Sequence, residues 1–294
     1  MRFIITGHLG LIGSSLKKRL EDEGNKCVLK MDLRDGKDIT YDLEGKKCNA
    51  DIMFHLAARC KINKSISNPE WCFENVAAIH EVMEFCRKNN IKKVVAFSSS
   101  RILNKEVNPY TASKKYLEEL CRTYYSCYGI EYIIIRPSTV YGPFDDKTHR
   151  LIDIWIKNAL KDNDLVIYGN GKKTLDFTYI NDFIDGVMLT LKNGMNKEYN
   201  ISGNEEFNLK KLAEIIIKET NSKSKVILKT AEAEQPQKVH VDISKIKKLG
   251  YTPKVKLNDG IKKTIEWYKE NEDWWKNVKS EKYKEYYEKQ YGKN

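Results

Sequence analysis

The sequence predicts an α/β protein built on a doubly wound parallel sheet, with a smaller α/β lobe toward the C-terminus. Three observations carry that prediction. Apolar, β-branched runs alternate with amphipathic segments through the first two-thirds of the 294 residues. The runs are apolar almost throughout rather than at every second position, as strands buried on both faces require. Glycines at 7, 10 and 13 stand where the first run gives way to the first amphipathic segment.

The first strand is "RFIIT" (2–6). The opening "MRFIITGHLGLIG" reads as a buried strand entering a turn rather than a signal peptide, because His8 and three glycines break its apolar run. A helix follows over 11–23, then the strands "CVLKMD" (27–32), "DIMFHLA" (51–57), "KVVAFS" (93–98) and "EYIIIRP" (131–137). Helices over 75–89 and 110–127 join the later strands. Right-handed crossovers then wind the sheet outward in both directions. Beyond Pro143 the elements shorten: a helix at 150–161, "LVIYG" (165–169), "FTYI" (177–180), a helix at 181–192 and "EYNIS" (198–202). A helix at 208–220, the strand "KVILK" (225–229) and two further helical segments complete this part. The expected division is a first domain over 1–165 and a smaller lobe over 166–294, with the chain returning to the first sheet near 176–203. The tail from 270 reads as a surface helix that packs on a neighbour through Trp274 and Trp275.

Composition narrows the function. No apolar run approaches the roughly 20 residues of a membrane-spanning helix. The seven cysteines, at 27, 48, 60, 72, 86, 121 and 127, form no C-x-x-C pair. They fit buried free thiols in a reducing cytoplasm, with no zinc site or disulfide framework. The net charge is +11, but the lysines are dispersed and often stand beside Glu or Asp, as in "KKRLEDE". That is a solvated basic surface rather than a nucleic-acid stripe, and its field favours a small anionic substrate.

Two motifs carry chemistry. "ITGHLGLIG" places three glycines after a strand and at the opening of a helix. There the backbone can approach a diphosphate, and the helix offers free N–H groups and a partial positive charge. Asp32, nineteen residues beyond Gly13, ends the second strand, where a carboxylate accepts bonds from a ribose diol and repels a 2′-phosphate. Arg34, two residues on, softens that preference for NAD over NADP. The second motif is Tyr110-x-x-x-Lys114. Spacing of four puts phenol and ammonium on one helix face, and the positive charge favours phenolate, a base usable near neutral pH.

"TGHLGLIG", Asp32, "HLAA" (55–58), Asn75, "FSSS" (97–100), "YTASK" (110–114) and "RPSTVYGP" (136–143) occur together and in this order. With "GNGKKTLDFTYINDF" (169–183) and "YNISGNEEFNLKKLAEII" (199–216), they resemble the extended short-chain dehydrogenase/reductases, and within them the NAD-dependent epimerase/dehydratase family. The likeness covers about residues 1–270. It implies a Rossmann NAD-binding domain followed by a substrate-binding lobe, and a nucleotide-sugar substrate. Tyr110 would be the acid/base on a sugar hydroxyl, Lys114 would lower its pKa and hold the nicotinamide ribose, and Ser100 would bond the same sugar oxygen. NAD would be held by Gly7, Gly10, Leu11, Ile12 and Gly13, by Asp32, and by Asp42 and Leu43. Leu56, Ala57 and Ala58, with Asn75, Ser98, Tyr110, Lys114 and Pro137, would complete that site. The family also implies a homodimer paired through the helices at 75–89 and 110–127. His55 reads as a packed residue beneath the cofactor, with no chemical role.

Three departures from the family pattern matter. Only nine residues separate Ser100 from Tyr110, so the loop that usually covers the sugar is shortened to "RILNKEVNP". Arg101-Ile102 stands where 4,6-dehydratases place Asp-Glu, which removes the acid and base of that reaction. Leu175 replaces an arginine that many relatives use to grip the substrate diphosphate, leaving Lys172, Lys173 or Lys238 to compensate as point charges. The reading is therefore a nucleotide-sugar 4-epimerase working through a 4-keto sugar. The alternatives are a 4-keto-sugar reductase or 4-dehydrogenase using the same triad, and a non-catalytic dinucleotide-binding protein.

Overall fold

The computed structural model describes residues 1–104, 107–144, 150–230 and 241–276. The described chain divides into two compact units, one of Met1–Arg136 with Met188–Tyr199, the other of Pro137–Val187 with Asn200–Lys276. No helix among the described residues is long and apolar enough to cross a membrane.

The first unit starts with β1 (Arg2–Thr6), α1 (Leu11–Asp22) and β2 (Lys26–Met31). Then come α2 (Ile39–Asp42), β3 (Ile52–His55), α3 (Ile62–Ser67), α4 (Glu70–Lys88) and β4 (Lys93–Phe97). A 3-10 turn at Ser100–Leu103, α5 (Pro109–Tyr128) and β5 (Glu131–Pro137) follow. The strands order as β2-β1-β3-β4-β5-β9, where β9 is Lys197–Ile201. The pairs β1–β2, β1–β3, β3–β4 and β4–β5 are parallel. Successive crossovers therefore leave β1 in opposite directions, which makes the β1/β3 boundary the topological switch point.

The sequence period explains the burial. Met53, Val94, Ala96 and Ile134 face one core with Ile79, Val82 and Met83 of α4 and Leu117 and Cys121 of α5. The alternate residues Phe3, Ile5, Phe54, Val95, Ile133 and Ile135 are buried as well. Each such side chain contributes roughly 1.5–3 kcal/mol on leaving water, so both faces of the sheet must be covered. Asn108 caps α5 by accepting from Thr111 N, while the Thr111 hydroxyl accepts from Asn108 N, and Pro109 occupies the first helical position.

In the second unit β6 (Thr139–Tyr141), α6 (Leu151–Ala159), β7 (Leu165–Tyr168) and β8 (Thr174–Tyr179) lead into α7 (Ile180–Asn193). After β9 come β10 (Glu206–Asn208), α8 (Leu209–Thr220), β11 (Val226–Lys229), α9 (Ser244–Lys247), α10 (Leu257–Glu270) and α11 (Glu272–Lys276). They form two small sheets, β10-β8-β6 and β11-β7.

Several expectations shift. α4 begins at Glu70, five residues before the predicted start, and α3 was not anticipated, because polar "INKSIS" lacks an apolar stripe. β8 reaches back to Thr174 because β10 pairs with it, setting Phe207 opposite Leu175. Trp275 does not pack on a neighbour: it is buried in its own chain, donating to Tyr268 O at 2.7 Å. Lys238 and the tail beyond 276 lie outside the described residues.

A buried ion pair ties α5 to β5. Glu118, 3% exposed, accepts from Arg136 Nε at 2.7 Å and Nη2 at 2.6 Å, and from Arg122 Nη2 at 3.1 Å. Glu118→Ala strands the Arg136 guanidinium, so we expect a loss of about 3–5 kcal/mol, read as a lower urea midpoint.

Candidate active site

The glycine turn lies at the switch point, and its close contacts explain its composition. Gly7 sits at φ +73°, and a Cβ there would come within 2.7 Å of Ala57 N. A Cβ on Gly13 would stand 2.1 Å from Gly7 O, so only hydrogen fits. The Thr6 hydroxyl fastens the crossing: it accepts from Leu56 N at 3.2 Å and Ala57 N at 3.3 Å, and bonds His55 Nδ1 at 3.0 Å. Those bonds turn the chain after His55, which is why β3 stops there rather than at residue 57. Gly10 precedes α1 in extended conformation, and no side chain caps the helix. Leu11 is buried and Ile12 half-buried in its first turn.

At the end of β2, Asp32 is 5% exposed. Burial pushes its carboxyl up, but the Arg34 guanidinium and backbone N–H groups outweigh burial and hold it below the usual range. Asp42 closes α2 and accepts from Asp38 N at 2.6 Å. Leu43 turns its side chain into the core.

Lys114 is buried, and its ammonium donates to Phe97 O at 2.7 Å, using one of three N–H bonds. Its Nζ lies 6.0 Å from the centroid of the Tyr110 ring, so the two share one face of α5. Burial pushes Lys114 down to about 8, against the pull of Cys60 and Glu118. His55 is pushed by burial, with help from Lys114, down to about 3, so its ring is neutral at physiological pH. α5 packs against both β4 and the turn that begins at Ser100. Ser100 is buried, Ser99 caps that turn by accepting from Arg101 N, and the buried Ser98 Oγ finds no partner among the described residues.

Asn75 lies in the second turn of α4 and cannot cap it. Its Oδ1 accepts from Arg59 N at 2.7 Å, while its Nδ2 donates to Arg59 O at 3.1 Å and Ser113 Oγ at 3.2 Å. The amide thus fixes the segment after Ala57 and Ala58 against α5. Pro137 ends β5, half-buried. In the second unit Leu175 is buried, Lys172 is exposed and Lys173 is 9% exposed.

Sequence reasoning missed two groups. Thr6 gave no signal, since a threonine closing a strand is common. Glu118 was legible as the next member of the stripe Tyr110, Lys114, Glu118, each four residues apart. The residues fit a dinucleotide: glycines cramped against backbone, an uncapped helix start, an acid ending β2 and an orphaned hydroxyl at Ser98.

Comparison with known proteins agrees. The sequence model of the NAD dependent epimerase/dehydratase family matches residues 3–202. A putative UDP-glucose 4-epimerase of Methanocaldococcus jannaschii is 29% identical over 91% of this chain and 98% of its own. The human dTDP-D-glucose 4,6-dehydratase is 29% identical over 94% of this chain and 92% of its own. The solved UDP-N-acetylglucosamine 4-epimerase of Methanobrevibacter ruminantium, in complex with UDP-N-acetylmuramic acid, superposes with a TM-score of 0.83 at 25% identity, over 92% and 98% of the two chains. With a family match over two-thirds of its length, the chain belongs to the NAD dependent epimerase/dehydratase family.

Proposed function

We propose that this protein is a nucleotide-sugar 4-epimerase that works through a transient 4-keto sugar. The observation that carries the reading is Lys114 on the Tyr110 face of α5, anchored to the end of β4 through Phe97 O. Bound NAD supplies the hydride acceptor and, on the return, the hydride donor. Tyr110 Oη takes the proton of the C4 hydroxyl as that carbon becomes a ketone, then gives it back. Lys114 keeps a positive charge beside the phenol and so lowers the cost of phenolate. Ser100 Oγ bonds the same sugar oxygen and orients it. Arg101-Ile102, in place of an acid pair, supports epimerisation over loss of water. The related putative UDP-glucose 4-epimerase and the solved UDP-N-acetylglucosamine 4-epimerase support a uridine nucleotide as the first substrate to try. The seven cysteines are all thiols, though against expectation only Cys86 and Cys121 are buried and Cys60 and Cys127 are exposed; unpaired thiols support a reducing, cytoplasmic setting. A homodimer through α4 and α5 is supported by Phe73, 73% exposed on α4, and Tyr116 on α5.

Purified protein incubated with UDP-, GDP- and dTDP-sugars, with products resolved by NMR, should interconvert C4 isomers without added dinucleotide. Stoichiometric consumption of added NADH or NADPH instead makes the protein a 4-keto reductase. Tyr110→Phe should lower turnover by about 10²–10⁴-fold while retaining NAD, and near-normal rates would end the mechanism.

The pH profile tests Lys114. Its folded value near 8 lies below the ordinary lysine value of 10.5, so burial of the ammonium lowers stability below about pH 8. Between 8 and 10.5 the unfolded chain binds more protons, and stability rises with pH. Activity runs the other way: kcat should fall as pH climbs through about 8, because the charge that favours phenolate is lost. A flat profile to pH 9.5 contradicts that role. Light scattering should report a dimer, and Phe73→Lys a monomer.

A further inference from the structure

β1 and β3 end on two polar side chains that lie side by side. Thr6 and His55 are register partners in these neighbouring parallel strands. Two residues back on each strand, Ile4 and Met53 belong to the core under α4 and α5. Alternation therefore puts Thr6 and His55 on that same face, in its last row. Thr6 is fully buried and His55 is 2% exposed. Polar groups sealed in this way need partners from within the protein.

The Thr6 hydroxyl has one hydrogen to give. Its contacts are Leu56 N at 3.2 Å, Ala57 N at 3.3 Å and His55 Nδ1 at 3.0 Å. Both backbone nitrogens are donors, so His55 Nδ1 is the one acceptor among these contacts. A buried hydroxyl hydrogen without an acceptor is costly, which directs it to Nδ1. The ring is neutral at physiological pH, since burial, helped by the Lys114 charge, holds it far below the usual value. A neutral ring that accepts at Nδ1 carries its proton on Nε2.

We propose that His55 is a positioning residue for the dinucleotide, locking the glycine turn by accepting the Thr6 hydrogen at Nδ1 while its own proton sits on Nε2. The proposal rests on that turn as the dinucleotide site. With its hydrogen committed to His55, the Thr6 oxygen turns its lone pairs to Leu56 N and Ala57 N. Ala57 N stands 2.7 Å from where a Cβ on Gly7 would be, so one hydroxyl governs the closest backbone approach in the turn. The opposite tautomer would turn the Thr6 hydrogen away from its only acceptor and take a lone pair that a backbone N–H uses. A protonated ring fails in the same way and adds a second positive charge near Lys114.

Nitrogen NMR of full-length protein labelled in its histidines reads the tautomer directly. The sequence holds five histidines, and the signals lost in His55→Asn assign this one. Wild type should show Nε2–H at pH 7; an Nδ1–H ring overturns the proposal. Calorimetric titration with NAD reads the consequence. His55→Leu should weaken NAD by more than about tenfold, because the Thr6 hydrogen loses its acceptor. His55→Asn sets Oδ1 one bond from Cγ, where Nδ1 stood, and should bind within about threefold of wild type. His55→Gln carries its amide one bond farther out and should resemble His55→Leu. Wild-type affinity in His55→Leu, or no rescue by Asn over Leu, overturns the proposal, since the ring then acts by packing alone. Should His55→Leu not fold, the tautomer and the Asn-to-Gln ratio decide. Wild type that binds no NAD overturns the dinucleotide site as well. Sugar turnover enters none of these readouts, so failure of the epimerase reading leaves them unmoved.

Discussion

The site depends on how closely two strand ends can approach. β1 and β3 are neighbours, and the chain leaves them in opposite directions across the sheet. Gly7 and Ala57 meet there with no room for a Cβ, and the Thr6 hydroxyl bridges the crossing by holding two N–H groups of the β3 exit. Close approach exposes the uncapped start of α1 on one side and aligns the exit of β3 on the other. An extra methyl at Gly7 or Gly13 forces backbone against backbone, which no rotamer change relieves.

The chemical end of the site is built on the same plan, with a longer lever. Lys114 reaches from a helix to a strand-end carbonyl, and that bond sets where the ammonium sits beside Tyr110. Burial makes the charge easier to lose, while the neighbouring Glu118 makes it harder to lose. Glu118 also holds Arg136 at the end of β5, so one side chain on α5 both anchors the helix to the sheet and biases the lysine toward its charged form. Helix position and proton affinity thus share one buried carboxylate, with Cys60 adding to its pull on the lysine.

The parallel core was legible because its signals are local. Apolar runs identified the strands, the four-residue spacing of Tyr110 and Lys114 identified α5, and three glycines marked the turn. What escaped were elements that exist through their partners. β10 and β6 are three residues each and become strands only beside β8. α3 carries no apolar period and is held by its neighbours α4 and α5. Asn75 was readable as a site residue, but its work could not be read, since its amide is committed to Arg59 and Ser113, sixteen and thirty-eight positions away.

One regularity links these cases. Thr6, Asp32, Asn75 and Lys114 each hold a backbone N–H or carbonyl at or just beyond the carboxyl end of a strand. Side-chain bonds to backbone place no demand on the identity of the residue they reach, so a sequence names the side chain and stays silent about its target. Such bonds can also leave a polar group half-used: the Lys114 ammonium spends one of its three N–H bonds on Phe97 O. Rigid backbone anchors beside partly committed polar groups are what a site needs when its ligand brings a diphosphate and two riboses to be read in turn.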